Sequence, residues 1–180
     1  MFTDENLYEH FWNGEKIAAD ELVHRHGDIL VLFLNSYVKD IHEAEDLMIE
    51  AFALMFVKRR PVSEDGSFRA YLYKTARRLA GKAIKKHRIH IGLEELPFEL
   101  PGEALAETSL FENERKKQLY EALEELKPDY QEALYLVYFE DMSYRDTAEV
   151  MGRSESQIKN LVNRGKKSLK EILGKNGFEY

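Results

Sequence analysis

Apolar residues recur along this chain with the 3.6-residue period of amphipathic helices, and no stretch keeps the alternation of a half-buried strand. The period predicts helices near residues 15–26, 28–38, 42–60, 67–88, 109–126, 129–139, 143–151 and 154–173, with a shorter one over 5–12. Pro61 and the SEDG run at 63–66 predict a loop, and Gly92, Pro97, Pro101 and Gly102 interrupt the pattern across 89–108. The expected fold is all-α: two small helical domains at 1–90 and 112–175, joined by a linker over 91–111.

The sharpest local pattern lies in residues 129–173. Ser143 and Asp146 have capping-box spacing, Gly152 suits a left-handed helix end, and Ser154 with Gln157 repeats the capping spacing two residues later. Ala148, Val150 and Met151 give the first helix an apolar side, and Ile158, Leu161, Val162 and Leu169 form the buried stripe of the second. That stripe leaves Ser156, Lys159, Asn160, Asn163, Arg164, Lys166 and Lys167 outside. Short polar side chains followed by cations suit a helix that reads base edges and then grips phosphates. A helical hairpin with a solvated lysine face is the competing reading; the two caps, the small Ala148, the glycine turn and the apolar phase together favour the helix–turn–helix.

Winding 67–88 at about 100° per residue places Phe68, Leu72, Thr75, Ala76, Leu79 and Ala83 on one stripe. Lys74, Arg77, Arg78, Lys82, Lys85 and Arg88 share the opposite arc, with Tyr71 and Tyr73 at its two borders. A cationic face edged by aromatics suits single-stranded nucleic acid, because cations follow phosphates and rings stack on unpaired bases. A solvated basic helix whose tyrosines flank the core fits the same pattern. Helix 42–60 has a core stripe of Leu47, Ala51, Leu54 and Met55 and an acidic face of Glu43, Asp46 and Glu50. Those acids favour the helix dipole and also suit protein docking. Met48, Phe52 and Phe56 are surplus to the stripe, which implies burial from a second side or a partner.

Charge distribution changes the picture that net charge alone gives. The 180 residues sum to −7, which argues against nucleic acid, but residues 67–92 carry eight Lys/Arg and no acid. Residues 153–175 carry seven Lys/Arg against two Glu, and between these segments residues 93–114 hold seven Glu and no Lys/Arg. Two cationic segments separated by an acidic one fit two nucleic-acid contacts and a linker that avoids the polymer. The acidic linker is also expected to lie weakly against the basic helix at low salt. There are no cysteines, which removes disulfides and thiolate metal sites. The N-terminus lacks an apolar signal core and no apolar run exceeds seven residues, so no membrane insertion and a cytoplasmic location are expected. His24 and His26 point to different sides of a helix, and His87 and His90 sit in a cationic segment that repels a metal ion. No phosphate-cradling glycine loop, nucleophile elbow or HExxH occurs, so neither an enzyme nor a metal or other cofactor is expected.

Over residues 22–173 the chain resembles the extracytoplasmic-function group of bacterial sigma factors. AEDLMIEAF at 44–52 is similar to that family's AEDLxQExF, and FRAYLYKTARRLAGKAIKK at 68–86 to its FxxWLYxIARNxxxDxxR. MSYRDTAEVMGRSESQIKNLVNRGKKSL at 142–169 is similar to LSYxEIAExLGxSxGTVKxxxxRAxxxL. The chain departs from these patterns at Ile49 for Gln, Tyr71 for Trp, Arg78 for Asn, Lys82 for Asp, Gln157 for Thr and Gly165 for Ala.

The resemblance implies an alternative sigma factor with regions 2 and 4. Its implied partners are core RNA polymerase, through the β′ clamp and the β flap, promoter DNA, and an anti-sigma factor. It implies polymerase contact through Asp46, Ile49, Glu50 and Phe52. Capture and opening of the −10 element fall to Phe68, Tyr71, Lys74, Arg77, Arg78, Lys82 and Lys85. Reading of the −35 element falls to Arg153, Ser154, Ser156, Gln157, Lys159, Asn160, Asn163, Arg164, Lys166 and Lys167. Two alternatives stand beside it: a helix–turn–helix regulator of duplex DNA, which has no need of the basic, aromatic-edged helix, and a sigma-like adaptor that docks without opening DNA.

Overall fold

The computed structural model describes residues 2–58, 67–87, 96–100 and 114–176. Among these the chain is all-α, as the periodicity predicts. The helices are α1 (Asp4–Trp12), α2 (Ile17–Val38), α3 (Ile41–Val57), α4 (Phe68–His87), α5 (Glu114–Glu124), α6 (Pro128–Leu134), α7 (Tyr144–Met151) and α8 (Glu155–Lys175). α6 runs on into a π-helical turn, Tyr135–Phe139, closed by the Glu140 amide donating to the Tyr135 carbonyl at 3.1 Å.

α1–α4 form an N-terminal bundle and α5–α8 a C-terminal one. The expected break at Gly27 does not occur. α2 is continuous there because Gly27 faces α3, where an added Cβ would stand 4.0 Å from the Met48 sulfur. Lys39, in the left-handed conformation, ends α2, and Asp40 then caps α3 by accepting from the amides of His42 and Glu43 at 2.9 and 3.1 Å. The apolar surplus of α3 is explained by burial from a second side. α1 crosses it, with the Phe11 and Phe56 rings 4.6 Å apart, and Phe52 is buried beneath them.

The two bundles share one buried cluster rather than standing apart. Phe33 of α2 is fully buried at its centre, with ring centroids 4.8 Å from Tyr73 of α4, 6.0 Å from Phe98 and 6.1 Å from Tyr135 of the π turn. Aromatic pairs at such distances add about 0.5–1.5 kcal/mol each beyond the area they bury. Residues 96–100 run along the seam outside any helix, burying Leu96, Phe98 and Leu100. The Glu99 amide donates to the Ser36 carbonyl, and the Leu100 amide to Gln131 Oε1, each at 3.0 Å. The rest of the acidic linker lies outside the described residues. Where it is described, Glu99 pairs with Lys39 of α2 at 2.6 Å and not with the basic helix.

Candidate nucleic-acid interface

The C-terminal face is built by two helix caps and a glycine. Ser143 Oγ accepts from the Asp146 amide at 3.0 Å to start α7, and Gly152, at φ 65°, turns the chain out of it. Ser154 and Gln157 form the full reciprocal box, at 3.2 Å to the Gln157 amide and 2.8 Å back from the Ser154 amide. Ile158 and Val162 are buried on α7 and α6 as the pattern predicts, while Leu161 and Leu169 are half-buried. At Gly165 an added Cβ would meet Leu134 Cδ1 at 3.2 Å and Tyr130 Cβ at 3.3 Å, so the glycine allows α8 to lie close against α6.

This packing leaves Ser154, Ser156, Gln157, Lys159, Asn160, Asn163, Arg164, Lys166 and Lys167 exposed along one helix. Gln157 spends its carbonyl oxygen on the cap. Arg153 is half-buried, held by Asp129 Oδ2 at 2.7 Å. The Lys166 ammonium sits 4.8 Å above the Tyr138 ring, and its hydrogen bond to Tyr138 raises its pKa, which keeps the cation charged.

The N-terminal face is narrower than the winding predicts. Arg78, Lys82 and Lys85 are exposed, but Arg77 is buried and Lys74 half-buried, its ammonium 3.2 Å from Glu149 Oε1 of α7. Arg77 Nε meets Glu132 Oε1 at 2.6 Å, and the Tyr37 hydroxyl donates to that same oxygen at 2.6 Å. Burial works against the Arg77 charge, but the Glu132 carboxylate outweighs it and raises the guanidinium pKa. Tyr73, expected at the border, is fully buried and donates to Glu140 Oε2 at 2.7 Å, while Arg69 donates to the carbonyl and carboxylate of the same Glu140. The reason is common to all three. A single helical wheel assigns α4 one buried side, whereas α2 and α3 cover one side and the C-terminal bundle, through Glu132 of α6, Glu140 and α7, meets a second. Phe68 is fully buried in the apolar stripe and Phe52 is buried in α3, so each shapes its helix from within and presents no outer surface here.

What remains of the basic helix opens on a cleft of about 210 Å³ between α3 and α4. Tyr71, Thr75, Arg78, Leu79 and Lys82 line one wall, and Leu54 and Lys58 the other. Three cations and an aromatic ring, with no acid among the lining residues, are chemically suited to an anionic, ring-bearing ligand. Leu54, expected in the core stripe of α3, is 48 % exposed at this cleft. The sequence pattern did not single out Leu54, Lys58 or Thr75 for the site, since neither an ordinary apolar residue nor a loop-edge lysine carries a signal without the facing helix. On the outer side of α3, Asp46, Ile49 and Glu50 are exposed, with Ile49 62 % accessible.

Family models described as Sigma-70 region 2 and Sigma-70 region 4 match residues 22–89 and 116–169. The ECF RNA polymerase sigma factor SigM of Bacillus subtilis is 26 % identical over 168 residues, covering 88 % of this chain and 97 % of its own length. The structure of CnrH in complex with the cytosolic domain of CnrY aligns over 95 % of this chain and 97 % of that one, at 19 % identity and a TM-score of 0.63. The sigma factor RpoE, solved with the anti-sigma factor NepR from Bartonella quintana, aligns over 86 % and 96 %, at 19 % identity and a TM-score of 0.61. The two solved structures share the fold.

Proposed function

The chain belongs to the extracytoplasmic-function group of the sigma-70 family, and on that footing we propose how its surfaces divide the work of promoter-directed transcription initiation by core RNA polymerase. The exposed face of α8 reads the −35 duplex: Ser156, Gln157, Asn160 and Asn163 take base edges, and Arg164, Lys166 and Lys167 take phosphates. The α3–α4 cleft holds a nucleotide of the opened −10 strand, with Tyr71 as the stacking ring and Lys58, Arg78 and Lys82 as phosphate partners. Asp46, Ile49 and Glu50 on the outer side of α3 dock on the β′ clamp, the C-terminal bundle docks on the β flap, and the protein works in the cytoplasm. An anti-sigma factor is a further partner, a reading supported by the shared fold with RpoE, which was solved bound to one.

The observation that carries this reading is the presence of both faces in one chain. A regulator that binds only duplex DNA has use for α8 and none for a cationic, tyrosine-lined cleft on the 20-residue helix α4 of the other bundle. The test is a pull-down with bacterial core polymerase, followed by in-vitro transcription from a template pool randomised at −35 and −10. Enrichment at both elements is expected. Enrichment at −35 alone, with no polymerase retained, would establish the duplex regulator instead.

A further inference from the structure

α1 lies outside the residues that either family model matches, yet it fastens the two helices that form the cleft. The Tyr8 hydroxyl, on a fully buried side chain, donates to the Met55 carbonyl at 3.0 Å in the last turn of α3. Glu5 Oε1 accepts from the Phe68 amide at 3.1 Å, the first residue of α4. Both backbone groups belong to helix ends, where a carbonyl or an amide has no partner within its own helix. A carboxylate at the start of α4 also complements the helix dipole. Glu5 and Tyr8 are three residues apart, on one face of α1, so a single short helix caps the end of α3 and the beginning of α4 together. The Tyr8 ring centroid stands 5.3 Å from that of Phe68.

α1 is itself fixed from behind. Asp4 Oδ2 lies 2.7 Å from His26 Nε2 and Asp4 Oδ1 3.3 Å from the Arg25 guanidinium, both on α2. Burial opposes the Asp4 charge, but the contacts with His26 and then Arg25 prevail and lower its pKa. Thus α2 holds α1, and α1 sets where α3 stops relative to where α4 starts. Leu54 and Lys58 flank Met55, and Tyr71 is one turn beyond Phe68, so the two fastened points are the ones that place the cleft walls.

We propose that Glu5 and Tyr8 are positioning residues for strand capture, setting the separation of the α3 and α4 walls so that Tyr71 and the facing cations receive an unpaired nucleotide. This rests on the reading of the cleft as the −10 site. The full chain, with core polymerase, is assayed on a promoter recovered from the randomised pool, in closed form and with a pre-opened, mismatched −10 segment. Tyr8→Phe removes the hydroxyl and keeps the ring; Glu5→Ala removes the acceptor; Glu5→Gln keeps an acceptor oxygen. Tyr8→Phe and Glu5→Ala are expected to lower transcription from the closed template roughly 2- to 10-fold, the factor one hydrogen bond supplies. Pre-opening should recover part of that loss, Glu5→Gln should stay near wild type, and polymerase affinity should not change. Tyr71→Ala is the control. If Tyr71→Ala is impaired on the closed template while Glu5→Ala and Tyr8→Phe keep the wild-type ratio between templates, the positioning role is wrong and the cleft stands. An equal loss on both templates, or Glu5→Gln failing like Glu5→Ala, reduces α1 to a stabilising element and also overturns it. A silent Tyr71→Ala removes the cleft reading and the inference with it.

Discussion

Arg77 of α4 and Glu132 of α6 form an ion pair at 2.6 Å between the two bundles, with their side chains only 8 % and 1 % exposed. A cation on the basic helix is thereby neutralised by the half of the chain that carries the helix–turn–helix. Arg77 reaches DNA only if the two bundles separate. Lys74 with Glu149, and Arg69 and Tyr73 with Glu140, repeat the arrangement along the same seam.

Removing one member of a buried pair leaves the other charge stranded, at a cost of about 3–5 kcal/mol. Separation of the bundles returns Arg77 to water, so Glu132→Ala is expected to open the molecule before it unfolds it. Small-angle scattering should show a larger radius of gyration and helical circular dichroism should be retained. The triple variant Arg77→Met, Glu132→Leu, Tyr37→Phe, which strands no polar group of this trio, should stay closed. A compact Glu132→Ala variant with unchanged thermal stability would show that the pair does not hold the seam.

The seam should also weaken in alkali. Burial, and then the Glu132 charge, pushes the Tyr37 hydroxyl well above its ordinary pKa; burial and Glu140 do the same to Tyr73. Both groups are neutral in folded and unfolded chains below about pH 10, so their contribution is complete there. Above it the unfolded tyrosines ionise and the folded ones resist, and stability falls until the pH passes the raised folded values. Denaturant midpoints should hold up to about pH 10 and drop above it, and Tyr37→Phe should flatten part of the slope.

Stacking on Tyr71 is worth roughly 1–3 kcal/mol per base. Tyr71→Ala should therefore reduce transcription from a closed promoter by about 5- to 150-fold, with partial recovery on a pre-opened −10 template. Equal defects on both templates would assign Tyr71 to packing.

On α8, Asn160→Ala should lose about 1–3 kcal/mol of discrimination at one position of the −35 site. Lys167→Ala should weaken all sequences alike and reduce the salt slope by about 1. Selection from randomised sites, with affinities taken across a salt series, separates the two. An Asn160→Ala variant with unchanged preference would remove that residue from base readout.

Asp46→Lys combined with Glu50→Lys should weaken core polymerase binding about tenfold or more by charge reversal at the docking face. Both side chains are exposed, so the helical signal should be unaffected. Wild-type affinity would take this face of α3 out of the polymerase contact.

Local signals determined what depends on neighbours in sequence. The Ser154–Gln157 box, the left-handed Gly152 and the outward arc from Ser156 to Lys167 were legible because caps and helical phase are set within a few residues. The all-α class followed from the same period. Tertiary structure decided whatever depends on a second surface. A helical wheel places Arg77 in solvent, because it cannot know that Glu132, 55 residues away, will face it. It places Leu54 in a core that turns out to be a cleft wall, and it gives no reason for Glu5 and Tyr8 to matter. Long-range burial arises from packing between helices, and a charge is buried only where a distant partner compensates its lost water. Those pairings are encoded in the whole chain and become visible only when it is folded.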